Sequence, residues 1–257
     1  MRSSRILARI RAGQPVWLAT LWTVHHWKIV EMIALAGYDG VWIDLEHGAC
    51  SPEAMAECVL AARAHDLDAV VRVARRGYTD LIQPLEAGAT GLIVPQITGA
   101  AEAREFVRMA RFAPLGWRGM GGSVDTDYGS VSLPDYLEHA ARETFVMVML
   151  ERREAVAEVE AIAALPGLDG IYVGPADLSQ SYNIPGQTDD PAIEAAIERV
   201  AAACAAHGKW WGLPARSPED VRRRLAQGGR FFSVANEMRV IATGLRETLA
   251  PYRELAS

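Results

Sequence analysis

The sequence predicts an α/β protein folded as a single-domain TIM (β/α)8 barrel. Three observations support this fold: eight short apolar runs of strand type, amphipathic stretches between them, and a spacing that fits eight such units into 257 residues. The strand candidates are continuously apolar rather than alternating, as expected for parallel strands that are buried on both faces. We therefore expect one domain over residues 1–257.

The strands are predicted from runs of β-branched and aromatic residues, several of which follow Gly or Asp. In chain order they are Trp17–Trp22, Gly40–Asp44, Ala69–Val73, Gly91–Pro95, Phe145–Leu150, Gly170–Val173, Trp210–Pro214 and Phe231–Ala235. An open doubly wound sheet would usually have fewer strands and would often carry a GxGxxG turn after the first one. No such turn follows Trp22, so the barrel is favoured.

The helices are predicted from amphipathic stretches between the strands. The clearest are Pro52–His65, Ala100–Met109, Arg153–Ala164, Pro191–His207 and Pro218–Gln227. Three of these stretches begin with a capping side chain followed by proline, which is typical of a helix start. The basic amino-terminal segment also predicts a helix of the domain rather than a signal peptide. By contrast, the segment from Phe112 to Leu133 is long and non-periodic, which is typical of a functional loop or lid.

Composition and charge exclude several classes of protein. The net charge of -6 and the absence of a basic stripe argue against nucleic-acid binding. No apolar run approaches about 18 residues, so we expect no membrane span. The three cysteines, Cys50, Cys58 and Cys204, form no CxxC pair. This pattern argues against a disulfide framework and favours the reducing cytoplasm.

Ionisable side chains cluster where the predicted strands end, which is the rim where barrel enzymes carry their catalytic groups. They are Asp44 at the end of the second strand, Glu46 and His47 just after it, Arg72 in the third, Glu151 after the fifth and Asp177 after the sixth. Taken singly, Asp44 and Asp177 could cap helices, and His47 could be a solvated loop residue. Arg72 is harder to explain in this way, because a charge in a buried strand needs a partner or a ligand.

The residue types at this rim indicate enolate chemistry. Two carboxylates from separate strand ends, with no Cys or His pair at ligand spacing, suit Mg²⁺ or Mn²⁺ better than structural zinc. An arginine beside such a metal suits a substrate that bears a carboxylate or an oxyanion. A histidine near a carboxylate suits proton transfer.

Six segments of the chain resemble the HpcH/HpaI aldolase family in order and over nearly its whole length. They are IDLEHG (43–48), VVRV (70–73), EAGATGLIVPQI (86–97), RGMGGS (118–123), VMLE (148–151) and YVGPADLSQS (172–181). The family consists of metal-dependent class II aldolases specific for pyruvate. The resemblance implies reversible cleavage of a 4-hydroxy-2-oxo acid to pyruvate and an aldehyde.

The resemblance also implies residue roles. Glu151 and Asp177 resemble the ligands of the divalent metal, which would be Mg²⁺ or Mn²⁺, with Co²⁺ or Zn²⁺ as the alternatives. His47 resembles the catalytic histidine, with Asp44 orienting it, and Arg72 resembles the arginine that stabilises the enolate oxygen. The implied substrate-binding residues are Arg72, Ser123, Gly174, Pro175 and Ala176. Family members are commonly hexamers, built as trimers of dimers, with a terminal helix exchanged between subunits.

The sequence departs from the family pattern at several positions. Met149 replaces a common Gln, Leu45 a common Gly, and Glu86 an Asp that in some members reaches a neighbouring site. Asp125 and Asp127 follow the RGMGGS loop where members that act on acidic aldehydes tend to carry basic residues. This acidic pair predicts poor acceptance of an acidic aldehyde, because like charges repel.

Two alternatives to an aldolase remain open from the sequence. The GKWWGLP segment (208–214) resembles the branch near macrophomate synthase, which favours an oxaloacetate decarboxylase or a related lyase that uses the same enolate. In that segment Trp210 and Trp211 could line the second-substrate pocket, although barrel packing is the commoner role. A catalytically silent barrel that only binds an oxo acid is the other alternative, but both candidate metal ligands are present.

Overall fold

The computed structural model of the chain describes residues 2–255 and shows eight parallel strands closed into a barrel in the order β1 to β8. The strands are β1 (Val16–Leu21), β2 (Gly40–Asp44), β3 (Asp68–Arg72), β4 (Gly91–Val94), β5 (Phe145–Leu150), β6 (Gly170–Val173), β7 (Trp210–Pro214) and β8 (Phe231–Asn236). Each lies within one residue of its predicted bounds, so the predicted single-domain barrel is confirmed. Residue 1 and residues 256–257 of the predicted domain lie outside the described range.

Helices surround the barrel and connect successive strands. They are α1 (Arg5–Arg11), α2 (Trp27–Leu35), α3 (Pro52–Ala64), α4 (Tyr78–Glu86), α5 (Ala100–Ala110), α6 (Leu133–Glu143), α7 (Arg153–Ala157), α8 (Val159–Ala163), α9 (Pro175–Ser181), α10 (Pro191–Ala206), α11 (Pro218–Ala226) and α12 (Glu237–Glu254). The predicted helix Arg153–Ala164 is divided at Glu158. There the carboxylate accepts a hydrogen bond from Ala100 N (2.7 Å) and so caps the start of α5. None of the helices within residues 2–255 is long and apolar enough to cross a membrane.

The barrel interior is filled mainly by aromatic and large apolar side chains. Trp42 of β2 meets Tyr172 of β6 edge to face, with ring centroids 4.8 Å apart. At the other end of the barrel, Trp210 contacts Phe145 (5.1 Å between ring centroids) and lies beside Phe231 (5.3 Å). Trp210 therefore packs inside the barrel rather than at the rim.

The neighbouring tryptophan also packs in the core. Trp211 is fully buried and belongs to the apolar layer between the strands and the helices. These positions confirm that the two tryptophans pack the barrel. The tryptophans of the GKWWGLP segment thus give no support to the alternative of an oxaloacetate decarboxylase or related lyase.

The long segment between α5 and α6 does not fold over the carboxyl end of the barrel. It packs on the outer helix α4, where Trp117 stacks on Tyr78 with ring centroids 5.1 Å apart. Further along, Gly121 lies so close to Glu86 that a Cβ atom there would overlap the carboxylate. The segment then makes a short 3₁₀ turn, Val124–Thr126, before α6 begins.

Candidate active site

Adjacent strands bring Asp44 and Arg72 together at the rim. The two residues are paired in the β2–β3 register, and both are buried. Arg72 Nε donates to Asp44 Oδ1 (2.8 Å) and Arg72 Nη2 donates to Asp44 Oδ2 (2.5 Å). Such a bidentate pair fixes the plane of the guanidinium as well as its position.

The remaining surroundings of Arg72 leave its guanidinium little freedom. Nη1 lies 3.0 Å from Glu46 Oε2 and 3.9 Å from the Met149 sulfur. The guanidinium carbon of Arg72 also lies 5.7 Å from the centroid of the Trp42 ring, within the range of a cation–π contact. Met149, which stands where the family pattern often has Gln, thus packs against the guanidinium of Arg72.

His47 lies further out, on the loop after β2, with its side chain 54% exposed. Its Nε2 is 3.9 Å from Glu46 Oε2, and its ring meets the edge of Trp22 at 6.4 Å. The expected contact between Asp44 and His47 is not formed, because the strand directs the Asp44 side chain to Arg72. Glu46, which was given no firm role from sequence, is the carboxylate that faces both His47 and Arg72.

Glu151 occupies a buried, electronegative position at the end of β5. Burial raises the pKa of this carboxyl to about 7, and the negative charges of Glu46 and Asp177 add to the effect. Gly174 lies against it, since a Cβ at that position would come within 2.7 Å of Glu151 Oε1. A glycine is therefore needed here for close approach of the backbone.

Gln96, two residues after β4, contacts both candidate metal-binding carboxylates. Its backbone N–H donates to Glu151 Oε2 (3.2 Å), and its side-chain Nε2 donates to Asp177 Oδ2 (3.5 Å). Its side-chain Oε1 accepts from Arg152 Nε (2.9 Å), and its backbone carbonyl accepts from Arg75. Gln96 has a φ of 54°, in the left-handed region that is uncommon for residues other than glycine.

These groups fit a hard divalent cation. Two carboxylates lie near one another at a cleft, and burial together with the negative charge of the neighbouring acids raises the pKa of Glu151. Among residues 2–255 there is no group of three His, Cys, Asp or Glu side chains arranged to hold a metal. A two-carboxylate site completed by water and substrate oxygens suits Mg²⁺ or Mn²⁺.

The cleft in front of Glu151 and Asp177 has a volume of about 380 Å³. Its polar lining consists of Gln96, Glu151, Arg152, Arg153, Glu154, Asp177, Gln180, Ser181 and Asn183. Pro175 has no N–H group, so Ala176 and Asp177 present the first N–H groups of α9 at this edge. The cleft therefore combines acidic groups with positively charged and neutral hydrogen-bond donors.

Several residues expected at the site lie elsewhere in the chain. Ser123 belongs to the segment that packs on α4 and does not line the cleft. Asp125 is held by Arg118 (2.9 Å) and by the Tyr136 hydroxyl, so its charge is compensated away from the cleft. Asp127 lies 3.7 Å from Arg63. The predicted repulsion of acidic aldehydes by the two aspartates thus has no basis within this chain.

Sequence reasoning missed Gln96 and Arg152. Gln96 follows β4 directly after Pro95, so the strand-end rule that selected Asp44 and Glu151 also applies to it. It was passed over because an uncharged amide gives a weaker signal than a carboxylate. Arg152 lies between Glu151 and the predicted helix Arg153–Ala164, a position that gave no sign of a role at the cleft.

Comparisons with known proteins show which proteins this chain resembles. A model of the HpcH/HpaI aldolase/citrate lyase family matches residues 20–243. A hydroxypyruvate/pyruvate aldolase of Sagittula stellata is 34% identical over 245 residues, which cover 93% of this chain and 94% of that protein. A 4-hydroxy-2-oxo-heptane-1,7-dioate aldolase of Salmonella arizonae is 31% identical, with coverage of 95% and 92%.

Among solved structures, an HpcH/HpaI aldolase from Desulfitobacterium hafniense superposes with a TM-score of 0.90 at 28% identity, covering 96% of both chains. The sequence relatives are aldolases, and their similarity extends over more than nine-tenths of the chain. The activity class is accordingly that of a carbon–carbon lyase. With the family model matched over most of its length, the chain belongs to the HpcH/HpaI aldolase/citrate lyase family.

Proposed function

We propose that this chain is a divalent-metal-dependent class II aldolase that reversibly cleaves a 4-hydroxy-2-oxo acid to pyruvate and an aldehyde. The observation that carries the proposal is the fixed Arg72 guanidinium beside the cleft that holds Glu151 and Asp177. Arg72 lies close enough to Glu151 for their charges to interact. This contact supports the assignment of Arg72 to the 2-oxo group, where positive charge would stabilise an enolate oxygen.

The chain would bind the pyruvate part of the substrate through three sets of groups. Arg72 would donate a hydrogen bond to the 2-oxo oxygen, which gains negative charge as the carbon–carbon bond breaks. The N–H groups of Ala176 and Asp177 would hold the carboxylate at the start of α9. Gly174 and Pro175 would set the path of the backbone there, since Gly174 leaves room for Glu151.

Glu151 and Asp177 would hold the divalent cation. When bound, a cation at this position supplies Lewis-acid stabilisation of the enolate charge. Mg²⁺ or Mn²⁺ is favoured by the all-oxygen donor set, and Co²⁺ and Zn²⁺ are the alternatives.

His47 would move the proton of the 4-hydroxyl group. In the cleavage direction, His47 would remove that proton and the C3–C4 bond would break. The electron pair of that bond would pass to the pyruvate part, which becomes the enolate. Protonation at C3 then yields pyruvate, and the other product leaves as an aldehyde. Asp44 would hold Arg72 in place, since it accepts a hydrogen bond from Arg72 Nε at 2.8 Å. Glu46 would be the carboxylate next to His47, at 3.9 Å from its Nε2.

The proposal is tested by comparing two reactions of the purified protein. Metal-dependent release of pyruvate from a 4-hydroxy-2-oxo acid, followed with lactate dehydrogenase and NADH, is the expected main activity. Release of carbon dioxide from oxaloacetate, measured under the same conditions, tests the decarboxylase alternative. A kcat/KM for oxaloacetate well above that for every hydroxy-oxo acid tried would replace the aldolase assignment.

We also propose that the protein is a homo-oligomer, with the hexamer that the family resemblance implies as the expected form. The support is α12, whose apolar residues recur at helical spacing on one exposed face. They are Met238, Ile241, Leu245, Leu249 and Tyr252, each 40–67% exposed. Ser123 lies outside the cleft of its own chain, so any contribution to substrate binding would be made to the site of a neighbouring subunit.

A reducing, cytoplasmic location is proposed on the basis of the thiols. Cys50, Cys58 and Cys204 are all free. Burial raises the pKa of Cys58 and Cys204 to about 12, so these two thiols remain protonated and unreactive.

A further inference from the structure

Gln96 makes four hydrogen bonds with the groups around the candidate metal position. Two go from Gln96 to acids, Glu151 and Asp177, and two come to Gln96 from the bases Arg75 and Arg152. One backbone and one side-chain group of Gln96 donate to the acids, and one backbone and one side-chain group accept from the bases. The residue therefore links the end of β4 to the ends of β5 and β6 through polar contacts.

The backbone conformation of Gln96 is needed for these contacts. Its φ of 54° turns the chain directly after Pro95, in a region that is unfavourable for a residue with a Cβ. A residue that keeps such a conformation is held in it by its surroundings. Here the surroundings are the carboxylates and guanidinium groups of the cleft.

The orientation of the side-chain amide is also determined by its neighbours. Arg152 Nε can only donate, so the atom 2.9 Å from it must be the amide oxygen. The amide nitrogen is then left to face Asp177 Oδ2. Reversing the amide would place oxygen against oxygen at Asp177 and nitrogen against nitrogen at Arg152.

We propose that Gln96 is a positioning residue that holds Glu151 and Asp177 in the arrangement that binds the divalent cation. The inference rests on the proposed metal-dependent function. Without the amide, the Asp177 carboxylate would be free to turn and Arg152 would lose its hydrogen bond at the cleft. Removal of such a supporting contact typically weakens metal affinity by roughly 10–100-fold.

The test is the Mn²⁺ dissociation constant, measured from the free Mn²⁺ signal in electron paramagnetic resonance. Gln96→Gly is the principal variant, because glycine accepts the backbone conformation while removing the amide. Gln96→Asn is the second, since asparagine also tolerates this conformation but carries a shorter side chain. We expect both variants to bind Mn²⁺ roughly 10–100-fold more weakly than the unaltered protein, with similar melting temperatures.

Asn183→Gly is a closely matched control. Asn183 lines the same cleft and has a φ of 61°, and in the described structure no hydrogen bond joins its side chain to Glu151 or Asp177. Its replacement should leave Mn²⁺ affinity unchanged. An equal loss in this control would show a general effect of cleft substitutions and would overturn the assignment to Gln96.

The remaining outcomes separate this inference from the proposed function. If the unaltered protein binds Mn²⁺ and both folded Gln96 variants bind it equally well, only the role of Gln96 is refuted. If the unaltered protein binds no Mn²⁺, the proposed metal-dependent function fails and the positioning role fails with it.

Discussion

Arg72 and Asp44 form a buried, bidentate ion pair at the ends of adjacent strands, with hydrogen bonds of 2.8 and 2.5 Å. The pair holds a guanidinium rigidly at the rim of the barrel, facing the region of Glu151. Because both groups are charged and buried, removing Arg72 would leave Asp44 without its ion-pair partner. Removing Asp44 would take both of these hydrogen bonds from Arg72 and leave its contact with Glu46 at 3.0 Å. The Arg72–Asp44 pair therefore contributes to stability and to the proposed binding of the enolate oxygen.

Arg72→Lys should lower kcat/KM for retro-aldol cleavage by roughly 10²–10³-fold. Lysine keeps the positive charge but cannot reproduce the paired hydrogen bonds to Asp44 or the planar contact with Trp42. Steady-state kinetics on a hydroxy-oxo acid measures the loss, and Mn²⁺ affinity should stay within a few-fold. Retention of nearly full activity would refute the role of Arg72 at the enolate oxygen.

His47→Ala should lower turnover by roughly 10²–10⁴-fold if His47 moves the proton of the 4-hydroxyl group. The side chain is half exposed, so the melting temperature should change little. His65→Ala is a suitable control, because His65 lies at the carboxyl end of α3, just before β3 begins, whereas the rim residues lie where the strands end. An unchanged rate for His47→Ala would transfer the proton-transfer role to another group.

The eight strands and most helices were predictable because each depends on a local pattern of apolar residues, capping residues and prolines. The rim residues Asp44, Arg72, Glu151 and Asp177 were predictable because parallel strands end at one face. The partner of Asp44 was not, because the direction of its side chain follows from the β2–β3 register. The position of Ser123 outside the cleft of its own chain was not predictable for a similar reason, since motif order does not say which side of a helix a loop covers.

Glu237→Gln should destabilise the loop that carries Trp22. The Glu237 carboxylate accepts hydrogen bonds from the backbone N–H groups of Trp22, Thr23 and Val24 at 2.6–3.0 Å. Burial alone would raise its pKa, but these hydrogen bonds outweigh burial and lower the pKa below the usual 4.5. We expect the variant to lose about 1–2 kcal/mol of unfolding free energy at neutral pH.

The pH dependence of that loss follows from the lowered pKa of Glu237. The stabilisation is fully present above about pH 4.5 and is lost as the pH falls through the lower folded-state pKa, since protonation then favours the unfolded chain. Urea unfolding of both proteins at pH 7 and at pH 3 measures this. The difference in unfolding free energy between the unaltered protein and Glu237→Gln should be smaller at pH 3 than at pH 7. An equal difference at both pH values would contradict the assignment of this stabilisation to the ionised Glu237 carboxylate.

Leu245→Glu should dissociate the proposed oligomer. Leu245 is 67% exposed at the centre of the apolar face of α12, and a charge there would oppose burial against a second copy. Light scattering coupled to size-exclusion chromatography measures the mass. Arg246→Ala, at the adjacent position on the same helix, is the control and should leave the mass unchanged. A monomeric mass for the unaltered protein would refute the proposed oligomer.

The central claim is that Glu151 and Asp177 hold a divalent cation at a cleft where Arg72 faces the oxo group of pyruvate. Its most direct test is a crystal soaked with Mn²⁺ and pyruvate, with anomalous diffraction used to locate the metal. The account predicts one strong anomalous peak bounded by the two carboxylates, with the pyruvate oxo oxygen within hydrogen-bonding distance of Arg72. A metal bound elsewhere, or pyruvate bound away from Arg72, would contradict it.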